Sequence, residues 1–155
     1  ALKKEGKSTH NLSKLDFPDW NFSKKKPKMP DKYLYEYASI RVVPKVEREE
    51  FLNVGVILFC KKRDYLAMKY QINSKRLGIF SPGLDVAELK NYLQVWDLIC
   101  KGDPQGGKIA LLNGASRFRW LTAAKSAILQ CSNVHPGNCD NPDKVLDRLF
   151  DAYVL

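Results

Sequence analysis

The sequence predicts an α+β domain, with a mainly antiparallel sheet of about five strands and two or more helices packed on one side. Three observations lead there. Strand-like alternation clusters between Tyr33 and Ile72. The connections within that stretch are too short for the crossover that a parallel pair needs. After Ser81 the apolar period lengthens from two residues to about 3.6.

Each element follows from local chemistry. "YLYEYASIRVVP" starts at Tyr33, is rich in aromatic and β-branched residues, and ends at Pro44, so it reads as a strand. "FLNVGVILFC" is a second strand. Leu52, Val54, Val56 and Leu58 take one face and Ile57 and Phe59 the other. A strand apolar on both faces belongs inside its sheet. Gly55 within it points to a bulge or a close neighbour. "KKRD" is a polar turn, and "YLAMKYQI" is a third strand in which Leu66, Met68, Tyr70 and Ile72 alternate. Such short links favour an antiparallel meander. In "SPGLDVAELKNYLQVWDLICKG", Val86, Leu89, Leu93, Trp96 and Ile99 fall at helical spacing. Asp85 and Glu88 fit a capping pair, and Gly102 follows the end. "DPQGGKIALLNGAS" reads as a loop, and "RFRWLTA" and "AILQCSNV" as two more strands. In the closing "NPDKVLDRLFDAYVL", Asn141 caps a helix, Pro142 takes its first position, and Val145, Leu146, Leu149, Phe150 and Tyr153 line one face.

Composition limits the function. A chain of 155 residues with 45% apolar and 28% charged residues has the balance of one globular domain. No apolar run approaches the roughly 20 residues of a membrane helix, and no apolar signal core follows the basic N-terminus. The expectation is a cytoplasmic protein with no membrane partner. The four cysteines (Cys60, Cys100, Cys131, Cys139) form no CxxC pair, which argues against a secreted disulfide scaffold. Cys60 and Cys100 read as small buried hydrophobes.

The net charge of +9 is uneven. Residues 1–32 carry nine Lys against four acids, whereas residues 33–155 carry 17 basic against 13 acidic residues. Residues 1–32 read as a basic tail and linker, and residues 33–155 as one domain. Within the tail, Leu15, Phe17, Trp20 and Phe22 place four large apolar side chains in eight residues. That density predicts docking in a groove, on the domain itself or on a partner. The alternative is a fused peptide foreign to the domain, for which Met29 would be a natural start.

Five patterns deserve a chemical test. "GDPQGGK" (Gly102–Lys108) has the spacing of a phosphate-binding loop, but Ile109 stands where Ser or Thr would hold magnesium. A flexible connection is the simpler reading. "CSNVHPGNC" spaces Cys131, His135 and Cys139 as C-x3-H-x3-C, and a turn at Pro136-Gly137 would bring these zinc-ligand types together. Paired ligands are missing, so a structural His in a turn is preferred and no metal is expected. His135 is the only imidazole of residues 33–155, so a small hydrolase with a Cys or Ser nucleophile would have to use it. In "RFRWLTAAKS", Arg117, Arg119, Trp120 and Lys125 interleave cations with aromatics, as a nucleic-acid-binding strand face would, with Arg41 and Lys45 as neighbours. An edge strand with outward charges explains them equally. Lastly, Glu47, Arg48, Glu49 and Glu50 with Asn53 could hold a metal or a general base. Contiguous residues point apart, so a solvated turn leading into a buried strand comes first and a charged docking edge second. No pattern calls for a cofactor.

"YEYASIRVVPKVEREEFLNVGVILFC", "RFRWLTAAKSAILQ", "NVHPG" and "LDRLFDAYV" together resemble a small bacterial family of domains of unknown function, number three thousand and thirty-seven in that series. The resemblance covers roughly residues 33–155 and excludes the tail. Where members commonly read "APRS" and "QPSPVH", this chain has Ala123-Ala124-Lys125-Ser126 and Gln130–His135. The family has no established activity. Its members are often encoded beside, or joined to, kinases of the HipA toxin class, which implies a kinase-associated, toxin–antitoxin-like accessory role. The resulting expectation is a non-enzymatic interaction or regulatory module. Glu47–Asn53, Arg117–Lys125 and His135 are its candidate surfaces. A nucleic-acid-binding or nucleic-acid-processing domain is the first alternative, and a hydrolase using His135 the second.

Overall fold

The computed structural model describes residues 32–125 and 127–155. The docking residues expected at Leu15, Phe17, Trp20 and Phe22 lie outside them. Strands β1 (Tyr33–Val42), β2 (Leu52–Cys60) and β3 (Tyr65–Tyr70) form the expected meander. Three helices follow, α1 (Ser74–Phe80), α2 (Val86–Lys101) and α3 (Gly114–Thr122). Short strands β4 (Leu129–Cys131) and β5 (His135–Cys139) then return to the sheet, and α4 (Pro142–Val154) closes the chain.

The sheet is antiparallel and runs β3-β2-β1-β4, with β5 also paired to β1. β4 holds β1 from Ile40 to Val42, and β5 holds it from Tyr33 to Tyr37. Ser132 bridges the gap between them. Its amide donates to the Ser39 carbonyl at 2.9 Å, and its hydroxyl accepts from the Ser39 amide at 2.9 Å. These bonds explain why two serines are buried in an apolar sheet.

A bulge interrupts the β1–β2 ladder. Ile40 pairs with Gly55 and Arg41 with Asn53, which leaves Val54 as the extra residue. The bulge moves Val54 into the same core as Ile57 and Phe59, away from the face that simple alternation predicts. Gly55 is needed here because a Cβ would lie 2.8 Å from the Lys69 carbonyl oxygen and 2.9 Å from Tyr70 Cβ.

Both sheet faces are covered. Ala38, Ile40, Val42, Ile57 and Phe59 pack against Leu77 of α1, Leu89, Leu93, Trp96 and Ile99 of α2, and Phe118 and Leu121 of α3. The α+β class is as expected, but helices on one side only are not: α1–α3 cover this face and α4 the other. On the opposite face, Tyr35, Val56, Leu58, Cys60 and Cys139 pack against Val145, Leu146 and Leu149 of α4.

Three local readings are corrected. "RFRWLTA" is helical, because the Asn113 side chain caps α3 by accepting from the Ser116 amide at 2.8 Å, and Phe118 and Leu121 share one buried face. The alternation of Arg117, Phe118, Arg119 and Trp120 mimics a strand over only four residues, too short a run to separate the two periods. Pro136-Gly137 is not a turn but the middle of β5. Pro136 is tolerated because β5 pairs with β1 alone and so has a free edge. Gly137 is required because the Tyr35 ring lies directly over its Cα. Helix α1 occupies Ser74–Phe80, a stretch between the third strand and Ser81 for which the sequence suggests no element. It buries only Leu77, and its start is marked by Asn73 accepting from the Arg76 amide at 3.0 Å.

Gly137→Ala and Gly55→Ala should each destabilise the fold by about 1–3 kcal/mol through overpacking. Gly83→Ala, where an added Cβ meets nothing, should stay within about 0.5 kcal/mol. Urea unfolding midpoints of the three variants check this.

Candidate functional site

The polar centre of the domain lies on β1 beside the C-terminal end of α4. The helix begins beside Tyr65, whose hydroxyl donates to Asp143 Oδ1 at 2.7 Å. Near its end, the Tyr153 hydroxyl lies 3.1 Å from that of Tyr37 on β1. Ser39 and Arg41 follow Tyr37 on the same face of β1. Together with Ser132, His135 and Tyr153 these residues line a hollow of about 40 Å³.

Arg41 is partly buried there. Its guanidinium carbon stands 4.0 Å from the centroid of Phe51, and its Nε is buried without an acceptor. Its strand partner Asn53 likewise has a buried Oδ1 without a donor. An orphaned donor or acceptor normally costs about 1–3 kcal/mol, so such atoms call for a reason. The Tyr37 phenol is pushed up to about 12, first by its hydrogen bond to Tyr153 and then by burial, with Arg148 pulling the other way. Its ring lies 5.4 Å from that of His135. An adjoining cleft of about 190 Å³ reaches from Asn53 to Arg76, whose Nη1 donates to the Val154 carbonyl at 3.0 Å.

Glu47, Arg48, Glu49 and Glu50 occupy the exposed loop between β1 and β2. Val46–Arg48 form a single 3-10 turn, and Glu49 closes it in the left-handed region at φ 55°. Arg48 pairs with Glu50 at 2.8 Å, an exposed bridge of little energetic weight. Exposed Val46 and Phe51 flank the charges. Of this group, only Asn53 reaches the sheet face beside Arg41.

The basic set divides. Arg117 Nε donates to the Leu112 carbonyl at 3.0 Å, and its Nη1 to the carbonyls of Ile99 at 2.9 Å and Cys100 at 2.6 Å. It therefore closes the C-terminus of α2. Lys125 Nζ donates to the carbonyls of Trp120 at 2.6 Å, Leu121 at 3.2 Å and Ala123 at 3.2 Å, which closes α3. It also faces the Trp96 and Trp120 rings, and burial lowers its pKa. Arg119 and Trp120 remain exposed, on the side of the sheet opposite to Arg41.

His135 is exposed at the start of β5. Four strand steps put it about 13 Å from Cys139, so one metal ion cannot reach both. Burial pushes the Cys131 thiol up to about 12 and raises Cys139 as well, so neither is a ready thiolate. Ser132 donates to the Asn133 carbonyl at 2.9 Å rather than to His135. Among the described residues no three metal-ligating side chains cluster. "GDPQGGK" follows helix α2 rather than a strand, and Gly102 at φ 70° serves as that helix's C-cap. This is not the geometry of a phosphate-binding loop.

Tyr37, Ser39 and Arg41, like Ser132 and Tyr153, were not read from the sequence as a common site, and Arg41 entered only as a neighbour of the expected nucleic-acid-binding face. A signal for the first three does exist. They repeat at period two on a strand whose other face, Ala38, Ile40 and Val42, is wholly buried.

Fold and site together define a small α+β domain with a polar hollow at one end of its sheet and a charged hairpin loop beside it. A family model described as "Protein of unknown function (DUF3037)" matches residues 37–154. The chain belongs to this family, and the matched span takes in every residue of the hollow. No curated protein and no solved structure matches the chain. Among the described residues, no helix is long and apolar enough to cross a membrane.

If Arg117 is a helix-closing residue, Arg117→Gln should cost about 1–3 kcal/mol of stability, because buried carbonyls lose their donors. Arg119→Gln should stay within about 0.5 kcal/mol. Chemical denaturation of both variants separates the two roles.

Proposed function

We propose that this chain is a non-enzymatic interaction module of the cytoplasm, a regulatory accessory to a HipA-like kinase. It docks through the β1–β2 loop. The observation that carries the reading is the loop itself. Three acids, Glu47, Glu49 and Glu50, share it with exposed Val46 and Phe51, and the bulged β1–β2 ladder anchors both of its ends. Exposed carboxylates around apolar anchors suit a partner surface that is basic at its rim and apolar at its centre. The kinase comes from the genomic neighbourhood that the family resemblance implies. A nucleic-acid reading retains only Arg119 and Trp120, since Arg117 and Lys125 spend their donors on helix carbonyls. A hydrolase reading lacks a nucleophile hydrogen-bonded to His135 among the described residues, since the Ser132 hydroxyl donates to the Asn133 carbonyl instead.

The test is binding of the full chain to the neighbouring kinase at micromolar concentration. Glu47→Lys combined with Glu49→Lys should weaken it by about tenfold, mainly in association rate, with an unchanged unfolding midpoint. No detectable complex, or a complex indifferent to the charge reversal, defeats the reading.

A further inference from the structure

The geometry points to a second site: the hollow around Arg41 binds a small oxoanion, the head of a phosphate or a carboxylate. The inference goes beyond the docking reading, with which it shares only Phe51, and its test needs no protein partner.

A buried guanidinium N–H ordinarily finds a carboxylate or carbonyl acceptor. Arg41 has neither at Nε, and it takes part in no ion pair among the described residues. The Phe51 ring covers the guanidinium's flat side at 4.0 Å and fixes its plane. A ring face satisfies charge but not the in-plane N–H donors, which remain available to an acceptor.

The rest of the lining agrees. Tyr37, Ser39, Ser132, His135 and Tyr153 include no carboxylate. Arg148 of α4 adds positive potential at Tyr37. The Ser132 hydroxyl is already engaged, accepting from the Ser39 amide and donating to the Asn133 carbonyl. The two tyrosine hydroxyls share one hydrogen bond, which uses one of their two hydrogens. The other is free for a ligand, as is a His135 N–H. Arginine, one phenol and one imidazole around a common space offer donors to an oxoanion, and no carboxylate lines that space to occupy them. At about 40 Å³ the hollow exceeds the roughly 10–15 Å³ that one water requires, and it suits one oxoanion head rather than a nucleotide.

The experiment titrates the full chain separately with sodium phosphate and sodium acetate at constant ionic strength, followed by amide and imidazole NMR shifts. The expected result is a saturable shift at millimolar anion, confined to residues around Tyr37–Arg41, Ser132–His135 and Tyr153. Phosphate alone would assign phosphate as the ligand, and acetate alone a carboxylate. Arg41→Met should weaken binding by about tenfold or more. His135→Gln, at an exposed position where the fold is not at risk, should weaken it by about threefold. Saturation by neither anion overturns the inference, and so does saturation that survives both substitutions.

Discussion

Strand β1 is the element on which the rest depends. It alone hydrogen-bonds to three others, with β2 along one side and β4 and β5 sharing the second. Alternate residues face different cores: Ala38, Ile40 and Val42 face α1–α3, and Tyr35 faces α4. With neither edge nor face free over most of its length, β1 leaves little latitude for the elements around it. The Tyr35 ring demands Gly137 on β5, and the bulge at Arg41 places Asn53 and Val54 on their respective faces. The path of the hairpin loop is fixed by the same bulge.

The second half of β1 carries the polar residues of the sheet. Beside the C-terminal end of α4 it presents Tyr37, Ser39 and Arg41, joined by Asn53 of β2 and His135 of β5. Two arginines show what this means chemically. Arg117 places its guanidinium against three carbonyls at the ends of α2 and its following turn, and so finishes a structural task. Arg41, on a more confined strand, finds an aromatic face and no acceptor for Nε. The first is complete within the fold, whereas the second leaves its Nε without a partner, as its strand partner Asn53 leaves Oδ1.

The meander, the long α2 and the closing α4 were legible because each has a sustained period and a cap whose chemistry is local, such as Asp85, Gly102 and Asn141. Gly55 announced its bulge for a similar reason. Helix α3 was illegible because its deciding residue, the Asn113 cap, stood inside a loop-like string, while the cations and aromatics after it imitated alternation. β5 was hidden because Pro and Gly are turn formers in isolation, and only the Tyr35 ring from a distant strand explains them. The hollow was legible in part. Asn53 and His135 were chosen from the sequence and Arg41 as a neighbour of a basic face, but Tyr37 and Ser39 read as ordinary strand residues, because only the return of β4 and β5 to β1 brings Ser132 and His135 beside them. Conversely, Arg117 and Lys125 looked like a surface because their carbonyl partners lie in turns that no periodicity reveals.

Native-state hydrogen exchange tests the central role of β1 most directly. Amides from Tyr35 to Val42 that bond across either ladder should exchange only through global unfolding, with free energies equal to that from denaturant titration. Amides of β5 and of α1, held by one neighbour or by one buried side chain, should exchange through smaller openings. Exchange of β1 through a local opening, while α2 or α4 stays protected, would contradict the account.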